Sequence, residues 1–155
     1  MRVSFFVWET SRNKILTINQ LKKRGWNMPN RCYLSKEKEE ASDHLFLFFK
    51  KATMLWSLIF SLFGVQRVLH SSIKRNLFGW HDAFVGKMRE KAWRATHLCL
   101  LWTLWKERNE RAFNDIERSN QALKHSFLYT LVNWARVFIE DHTLSMIDFI
   151  EWLYV

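Results

Sequence analysis

The sequence predicts a mainly α-helical protein, folded as a small helical bundle, and three observations carry this prediction. The chain has only 4 Gly and 1 Pro in 155 residues, too few turn-forming residues for the many tight turns of a β-sandwich or barrel. Hydrophobic residues make up 48% of the chain, which excludes wholesale disorder. Apolar residues recur at steps of three and four, and no segment alternates with a period of two for long enough to be a strand.

The front of the chain predicts two short helices. Residues 4–12 are apolar and aromatic, and they predict the first helix. Thr17 is placed to cap a second helix over residues 18–24, because a threonine hydroxyl accepts a hydrogen bond from a free backbone N–H of the first turn. Gly25 is placed to end that helix, since glycine adopts the left-handed conformation that commonly follows a helix.

An irregular loop and a longer helix come next. Residues 26–42 contain Pro29 and a charged run, and they predict a loop. Ser42 is a candidate cap for one continuous helix over residues 43–63, and Gly64 is placed to end it.

The back half predicts two long helices and two shorter ones. Ser71 and Ser72 precede a short helix that ends at Phe78, and glycines in residues 79–86 mark a break. The longest helix covers residues 87–113, with an expected buried stripe of Trp93, His97, Leu100, Leu101, Leu104 and Trp105. Ser119 is placed to cap another long helix, and a shorter segment over residues 144–153 follows. The expected buried face of the capped helix contains Phe127, Leu131, Trp134 and Phe138.

The charge of the chain is strongly basic and uneven. The formal net charge is +9, divided into +11 over residues 1–100 and −2 over residues 101–155. Such a distribution indicates weak, non-specific binding to the phosphates of nucleic acid, and simple solubility is the alternative explanation. The candidate nucleic-acid-binding residues are Lys22, Lys23, Arg24, Arg31, Lys50, Lys51, Lys74, Arg75, Lys87, Arg89, Lys91 and Arg94.

The sequence contains no catalytic motif, so we expect no enzyme activity. It lacks the Tyr-x-Asp-Asp of a polymerase, the glycine-rich phosphate loop and the His-Glu-x-x-His of a metalloprotease. The tryptophans of the longest helix have two interpretations, core packing or a platform on which bases stack, and core packing is the more common role. Four charged residues of the same helix are expected to form a solvated face, namely Lys106, Glu107, Arg108 and Glu110.

The cysteine content and the apolar segments suggest an intracellular protein, in the nucleus or the cytoplasm. The only cysteines are Cys32 and Cys99, so the chain has no disulfide framework. Residues 1–8 are apolar but short and lack a small-residue cleavage site, which argues against a signal peptide. The most apolar stretch, residues 45–63, is interrupted by Lys50 and Lys51, so no transmembrane segment is expected and no membrane partner either.

Several ordered sequence blocks resemble the reverse transcriptase zinc-binding domain of plant non-LTR retrotransposons. Residues 5–9 (FFVWE) look like the aromatic opening of that family, and residues 16–26 look like its LTxxxLxxRGW segment. Asn30-Arg31-Cys32 and Asp43-His44-Leu45 match its two metal-ligand arms. Blocks within residues 85–113 and 148–153 look like the downstream part of such reading frames.

The resemblance implies a zinc site, and this chain departs from it. The family has the pattern Cys-x-x-Cys, a Glu-rich loop and His-Leu-x-x-His-Cys, but Ser35, Phe48 and Phe49 replace its second Cys, second His and last Cys. Only Cys32 and His44 remain as residual metal ligands. Zinc needs four thiolate, imidazole or carboxylate donors, so we expect the chain to hold no zinc cofactor.

The resemblance also implies the organisation and the function of the chain. Residues 1–64 are expected to form a degenerate zinc-binding-like region, with an irregular former zinc-binding loop, and residues 65–155 a helical C-terminal extension. Met1 lies inside the expected opening segment, which predicts an N-terminally truncated form of the family domain. The predicted function is that of a non-enzymatic fragment with at most weak, sequence-independent nucleic-acid binding. The alternatives are a helical protein–protein interaction module and an inert retroelement remnant.

Overall fold

The computed structural model describes residues 2–12, 14–32, 34–36, 39–64, 72–78 and 87–154. Of these residues 72% are helical, in eight segments, and none forms a strand, so the predicted mainly α fold is confirmed. The segments are α1 (Arg2–Ser11), α2 (Ile18–Lys23), a π-helical turn (His44–Phe48), α3 (Lys50–Phe63), α4 (Ile73–Phe78), α5 (Lys87–Asn114), α6 (Asn120–Phe138) and α7 (Met146–Tyr154).

Helix α5 is the central element of the bundle. It packs against α1, α3, α6 and the π-helical turn, and α7 contacts both α3 and α6. One continuous cluster of buried side chains includes residues from both halves of the chain, among them Phe46, Trp56, Leu101 and Phe127. The proposed division between residues 64 and 65 stays a prediction about sequence organisation, because the two regions share this core.

Three of the predicted helix caps are confirmed, whereas Ser42, the cap predicted for a helix over residues 43–63, already lies inside a helical turn. The hydroxyl of Thr17 accepts a hydrogen bond from the N–H of Gln20 at 3.3 Å, and that of Ser119 accepts one from Ala122 at 3.1 Å. The hydroxyl of Ser72 accepts one from Arg75 at 3.2 Å. The other candidate cap of that helix, Ser71, and the predicted break over residues 79–86 lie outside the described residues.

The backbone at the end of α2 forms a Schellman motif. Gly25 has a φ of 92°, the N–H of Trp26 donates to the carbonyl of Leu21 at 3.1 Å, and that of Gly25 donates to the carbonyl of Lys22 at 3.0 Å. These two bonds satisfy helix carbonyls that would otherwise lack partners. The motif confirms the predicted helix end and fixes the backbone position of Trp26.

The prediction of one continuous helix over residues 43–63 is wrong, because the helix is interrupted at Phe49. The backbone of Phe49 is extended, with φ −66° and ψ 144°, and its N–H donates to the carbonyl of His44 five residues earlier at 2.9 Å. The resulting π-helical turn buries the three consecutive residues 45–47 completely. The same turn leaves Phe48 54% exposed, so only Phe49, and not Phe48, adds apolar surface to the core.

The two predicted apolar stripes lie largely in the core. On α5 the side chains of Trp93, His97, Leu100, Leu101 and Leu104 are at most 1% exposed, and Trp105 is partly buried. On α6, Phe127 and Leu131 are fully buried, whereas Trp134 and Phe138 pack against the core from its edge. Trp93 is the most buried tryptophan of α5. Core packing is therefore its confirmed role, and its ring cannot stack on a base.

No helix within the described residues combines the length and the apolar character needed to cross a membrane.

Candidate functional site

The two sequence segments that correspond to the metal-ligand arms come together at one point. Cys32 begins a turn closed by a 2.8 Å hydrogen bond from the N–H of Lys36 to the carbonyl of Cys32. His44 is the first residue of the π-helical turn. The hydroxyl of Ser35 and the Nε2 atom of His44 are 3.1 Å apart and hydrogen-bonded. A hydrogen bond therefore joins the two segments that the sequence resemblance identifies as ligand arms.

The side chains near the contact between Ser35 and His44 do not offer the four donors of a tetrahedral zinc site. Ser35 offers a hydroxyl instead of a thiolate, and the Phe49 ring is buried with its centroid 6.3 Å from that of His44. Cys32 is 1% exposed and lines a different cleft from the one lined by Ser35 and His44. In the described part of the chain, no three His, Cys, Asp or Glu side chains are grouped so that they could hold a metal ion.

The second cysteine of the chain lies away from this point, in the core. Cys99 is fully buried on α5, and its thiol donates a weak hydrogen bond to the carbonyl of Phe127 at 3.6 Å. Burial raises the pKa of the Cys99 thiol to about 12, and a hydrogen bond with Thr103 offsets part of that effect. The thiol is therefore protonated at neutral pH and is a poor metal ligand.

A buried ion pair attaches the loop segment before the π-helical turn to α5. The Oε1 atom of Glu40 accepts hydrogen bonds from Nη2 and Nε of Arg108, at 2.6 and 3.0 Å. The same oxygen accepts the N–H of Ile18 at 3.0 Å, in the first turn of α2. Glu40 is 0% exposed and Arg108 is 4% exposed, and the guanidinium of Arg108 lies 4.9 Å from the centre of the Trp105 ring. One carboxylate thus connects the loop, α2 and α5.

A second group of buried charges lies beside the first, between α3 and the end of α5. The ammonium of Lys51 lies 3.6 Å from Glu107 and 3.7 Å from Glu117, and it donates to the carbonyl of Arg118 at 2.6 Å. A hydrogen bond from Arg111 lowers the pKa of the Glu117 carboxyl, and the charge of Lys51 lowers it further. Lys51 is therefore engaged in ion pairs inside the protein.

The expectation of a solvated charged face on α5 is wrong for two of its four residues. Glu107 and Arg108 are 1% and 4% exposed, whereas Lys106 is exposed and Glu110 is half-buried. The sequence contained a usable signal, because Glu107 and Arg108 follow the buried Leu104 by three and four residues. They therefore continue the apolar stripe of the helix, and the ionic partners of these two residues lie on other elements.

Most of the candidate phosphate-binding residues lie on the surface. Nine of them are exposed, namely Lys22, Lys23, Arg24, Arg31, Lys50, Lys74, Arg75, Lys91 and Arg94. Arg94 is also paired with Glu90 at 2.6 Å. Arg89 is half-buried and donates a hydrogen bond to the carbonyl of Leu153, and the side chain of Lys87 lies outside the described part of the structure. Lys51 is buried, so it is not part of the proposed binding surface.

Two surface clefts bring basic side chains from distant parts of the chain together. The larger one has a volume of about 490 Å³, and its lining includes Arg31, Lys36 and Arg111 together with the apolar residues Ile18, Met28, Pro29 and Ala112. Asp115 and Cys32 complete that lining. The smaller one, of about 340 Å³, places Arg12 of the segment after α1 beside Lys74 of α4. The first cleft is therefore formed by the start of α2, loop residues between Met28 and Lys36, and the end of α5.

Residues 1–56 match the model of a family described as zinc-binding in reverse transcriptase. The resemblance deduced from the front of the sequence is thereby confirmed for this part of the chain, and this family is not the catalytic part of a reverse transcriptase. Searches of the curated proteins and of the solved structures found no significant match. The relation of residues 57–155 to a retrotransposon reading frame, and its plant non-LTR origin, stay predictions.

Proposed function

We propose that this chain is a non-enzymatic module that binds nucleic acid weakly and without sequence preference, and that it does so without zinc. The observation that carries the proposal is the nine exposed cationic side chains, all within residues 1–100. That part of the chain has a net charge of +11, against −2 for the remainder. The match of residues 1–56 to a reverse transcriptase zinc-binding domain supports the proposal independently, because such a domain works beside a polymerase that handles nucleic acid.

The expected mode of binding is electrostatic. Lysine and arginine side chains that neutralise phosphates release condensed counterions, and this release supplies most of the affinity of non-specific binding. Within the described residues no group of His, Cys, Asp or Glu could hold the metal of a DNA-reading zinc finger, and the sequence contains no known motif that reads base edges. We therefore expect similar affinity for unrelated sequences of equal length and strand number.

A salt titration tests the binding proposal. Affinity of the unmodified chain for a labelled oligonucleotide should fall steeply between about 50 and about 300 mM salt. The double change Lys22→Gln with Lys23→Gln should make the plot of log K against log salt less steep, by about 0.7–0.9 for each phosphate that is no longer neutralised. The matched control is Lys106→Gln with Lys124→Gln, which removes the same charge from exposed residues of the acidic part and should leave the slope nearly unchanged. Equal binding at both salt concentrations, or no binding at the lower one, contradicts the proposal.

The metal-free state is supported by the hydrogen bond that joins the two arms. Two residual donors, Cys32 and His44, leave half of a tetrahedron to other ligands, so the folding free energy that a structural zinc normally supplies is largely lost. Instead, Ser35 and His44 bind each other directly, and the buried pair of Glu40 and Arg108 holds the loop against α5. These contacts provide the order for which intact members of the family use a metal.

A cobalt titration tests the metal proposal, because tetrahedral thiolate and imidazole ligation of Co²⁺ gives intense visible bands. The unmodified chain should stay nearly colourless. Donors on one zinc ion lie about 3.5 Å apart for bond lengths of about 2.0–2.3 Å, close to the 3.1 Å between Ser35 Oγ and His44 Nε2. With Cys32 and His44, the double change Ser35→Cys with Phe49→Cys supplies four donors, and it should restore the bands if the backbone keeps the geometry of the family.

The control for this titration adds the same two thiols elsewhere. Ser61→Cys with Phe113→Cys places them at exposed positions, and it should give no tetrahedral bands. Because Phe49 is buried, the single change Ser35→Cys is measured as well, and circular dichroism verifies that each variant stays helical. Intense tetrahedral bands in the unmodified protein would contradict the proposal that the chain is metal-free.

A protein–protein interaction module is the second candidate function, and it is favoured by the exposed apolar side chains of the acidic part. Phe113, Val137 and Ile147 are 77%, 72% and 69% exposed, so they are available for apolar contacts with a partner. Recovery of one discrete partner in the absence of nucleic acid favours this candidate, whereas salt-sensitive retention on DNA favours the first. A chain that does neither is an inert remnant.

A further inference from the structure

Trp26 is the large apolar side chain that lies next to the densest group of positive charges. It is 64% exposed, although a tryptophan in a folded protein is usually largely buried. The last turn of α2 and its cap place Lys22, Lys23 and Arg24 within four residues of it, and all three are exposed. Among the described residues, no ion pair involves any of these three cations.

The backbone holds Trp26 in this position. Its N–H is the donor of the longer-range bond in the Schellman motif that ends α2, so its Cα is fixed relative to the helix by two hydrogen bonds and the positive φ of Gly25. The ring is therefore presented to solvent on a rigid turn. Because the backbone that carries the ring is already fixed, only the side-chain torsions of Trp26 have to be ordered when a flat ligand stacks on it.

The larger of the two surface clefts lies close to this ring along the chain. Met28 and Pro29, which line the cleft, follow Trp26 by two and three residues, so their Cα atoms lie within about 7–11 Å of it along the chain. Arg31 and Lys36 border the same cleft. Trp26, the three cations at the end of α2 and the loop residues that line the cleft therefore lie within a short stretch of chain, and the cleft lining adds Arg111 and the acidic Asp115 from the end of α5.

We propose that this surface binds single-stranded nucleic acid, with an unpaired base stacked on Trp26 and the neighbouring phosphates bound by the cations of α2 and of the cleft. Aromatic rings with adjacent cations are the usual platform for single strands, because every base has a π face and every nucleotide has a phosphate. A duplex keeps its bases stacked inside, so it can use the cations but not the ring. The proposal rests on the proposed function and adds to it a preference for unpaired strands.

The test compares Trp26→Ala with the unmodified chain on a labelled thymidine oligonucleotide of about 12 nucleotides and on a duplex of the same length. Fluorescence anisotropy at low salt should show a loss of affinity of about 5- to 100-fold for the single strand, and a change of less than about twofold for the duplex. Trp26→Phe, which keeps an aromatic face, should retain most of the single-strand affinity. Tyr129→Ala removes a ring that is 58% exposed on α6 in the acidic part, and it should change neither affinity.

The results of this experiment distinguish the proposed stacking site from the more general proposal of non-specific binding. The stacking site is refuted, while non-specific binding stands, if Trp26→Ala binds the single strand as well as the unmodified chain does. It is also refuted if the variant loses affinity equally for the single strand and the duplex. If the unmodified chain binds neither nucleic acid at low salt, both proposals are refuted. A circular dichroism spectrum unchanged by Trp26→Ala is expected, because the side chain is exposed and the Schellman bonds use only backbone atoms.

Discussion

Replacing Glu40 by Gln is expected to lower the free energy of unfolding by about 3–5 kcal/mol, the usual cost of removing one partner from a buried ion pair. Gln keeps the shape and one acceptor oxygen, but it cannot neutralise Arg108, which would remain 4% exposed and uncompensated. The N–H of Ile18 would also lose its charged acceptor at the start of α2. Urea denaturation followed by circular dichroism measures the change.

The matched control is Glu90→Gln, the same chemical change in an exposed pair. Glu90 and Arg94 lie one turn apart on α5, with side chains 33% and 50% exposed, and such pairs contribute about 0.3–0.5 kcal/mol. Replacing both Glu40 and Arg108 by apolar residues of similar volume should recover much of the loss, because no buried charge then lacks its partner. A cost of Glu40→Gln no larger than that of Glu90→Gln would show that the pair is solvated in solution.

The ends of the helices were predictable because they depend on residues close together in sequence. Thr17 and Ser119 bond to N–H groups three residues ahead, and Gly25 and Gly64 adopt positive φ angles directly after a helix. Each of these features needs only a few consecutive residues, so the sequence contains the whole cause. The buried stripe of α5 was predictable for a similar reason, since its spacing repeats within a single helix.

The interruption at Phe49 and the buried charges were not predicted, because they depend on contacts between distant residues. Residues 43–63 have the composition of one long helix, and only the packing of three consecutive side chains at 45–47 into the core explains the wider turn. Glu40 and Arg108 are 68 residues apart in sequence. Helical spacing places Arg108 on the buried face, but only the tertiary structure shows which carboxylate neutralises it.

The candidate site was predicted in part. Sequence resemblance located the two ligand arms, and the contact between Ser35 and His44 shows that the arms meet. The stacking residue was missed because helical spacing singles out the tryptophans of the longest helix, where Trp93 is completely buried. Trp26 lies in a segment without periodicity, so its exposure could not be deduced from spacing.

Replacing Leu101 by Ala is expected to lower the free energy of unfolding by about 2–5 kcal/mol, because apolar burial is lost and a cavity is left behind. Leu101 is 0% exposed and lies on α5, the helix that contacts α1, α3, α6 and the π-helical turn. A cavity there has walls from several elements, so no single side chain can move to fill it, which favours the upper part of the range. Denaturant unfolding gives the value.

Leu16→Ala is the control for this measurement, because it makes the same change at a side chain that is 46% exposed. Its cost should stay below about 1 kcal/mol, since part of that surface already contacts water and no closed cavity forms. Nearly equal costs for the two variants would mean that α5 is not the centre of the core and that its apolar stripe faces solvent. A large difference places the stripe in the interior, which argues against the tryptophans of the α5 stripe as a platform for stacked bases.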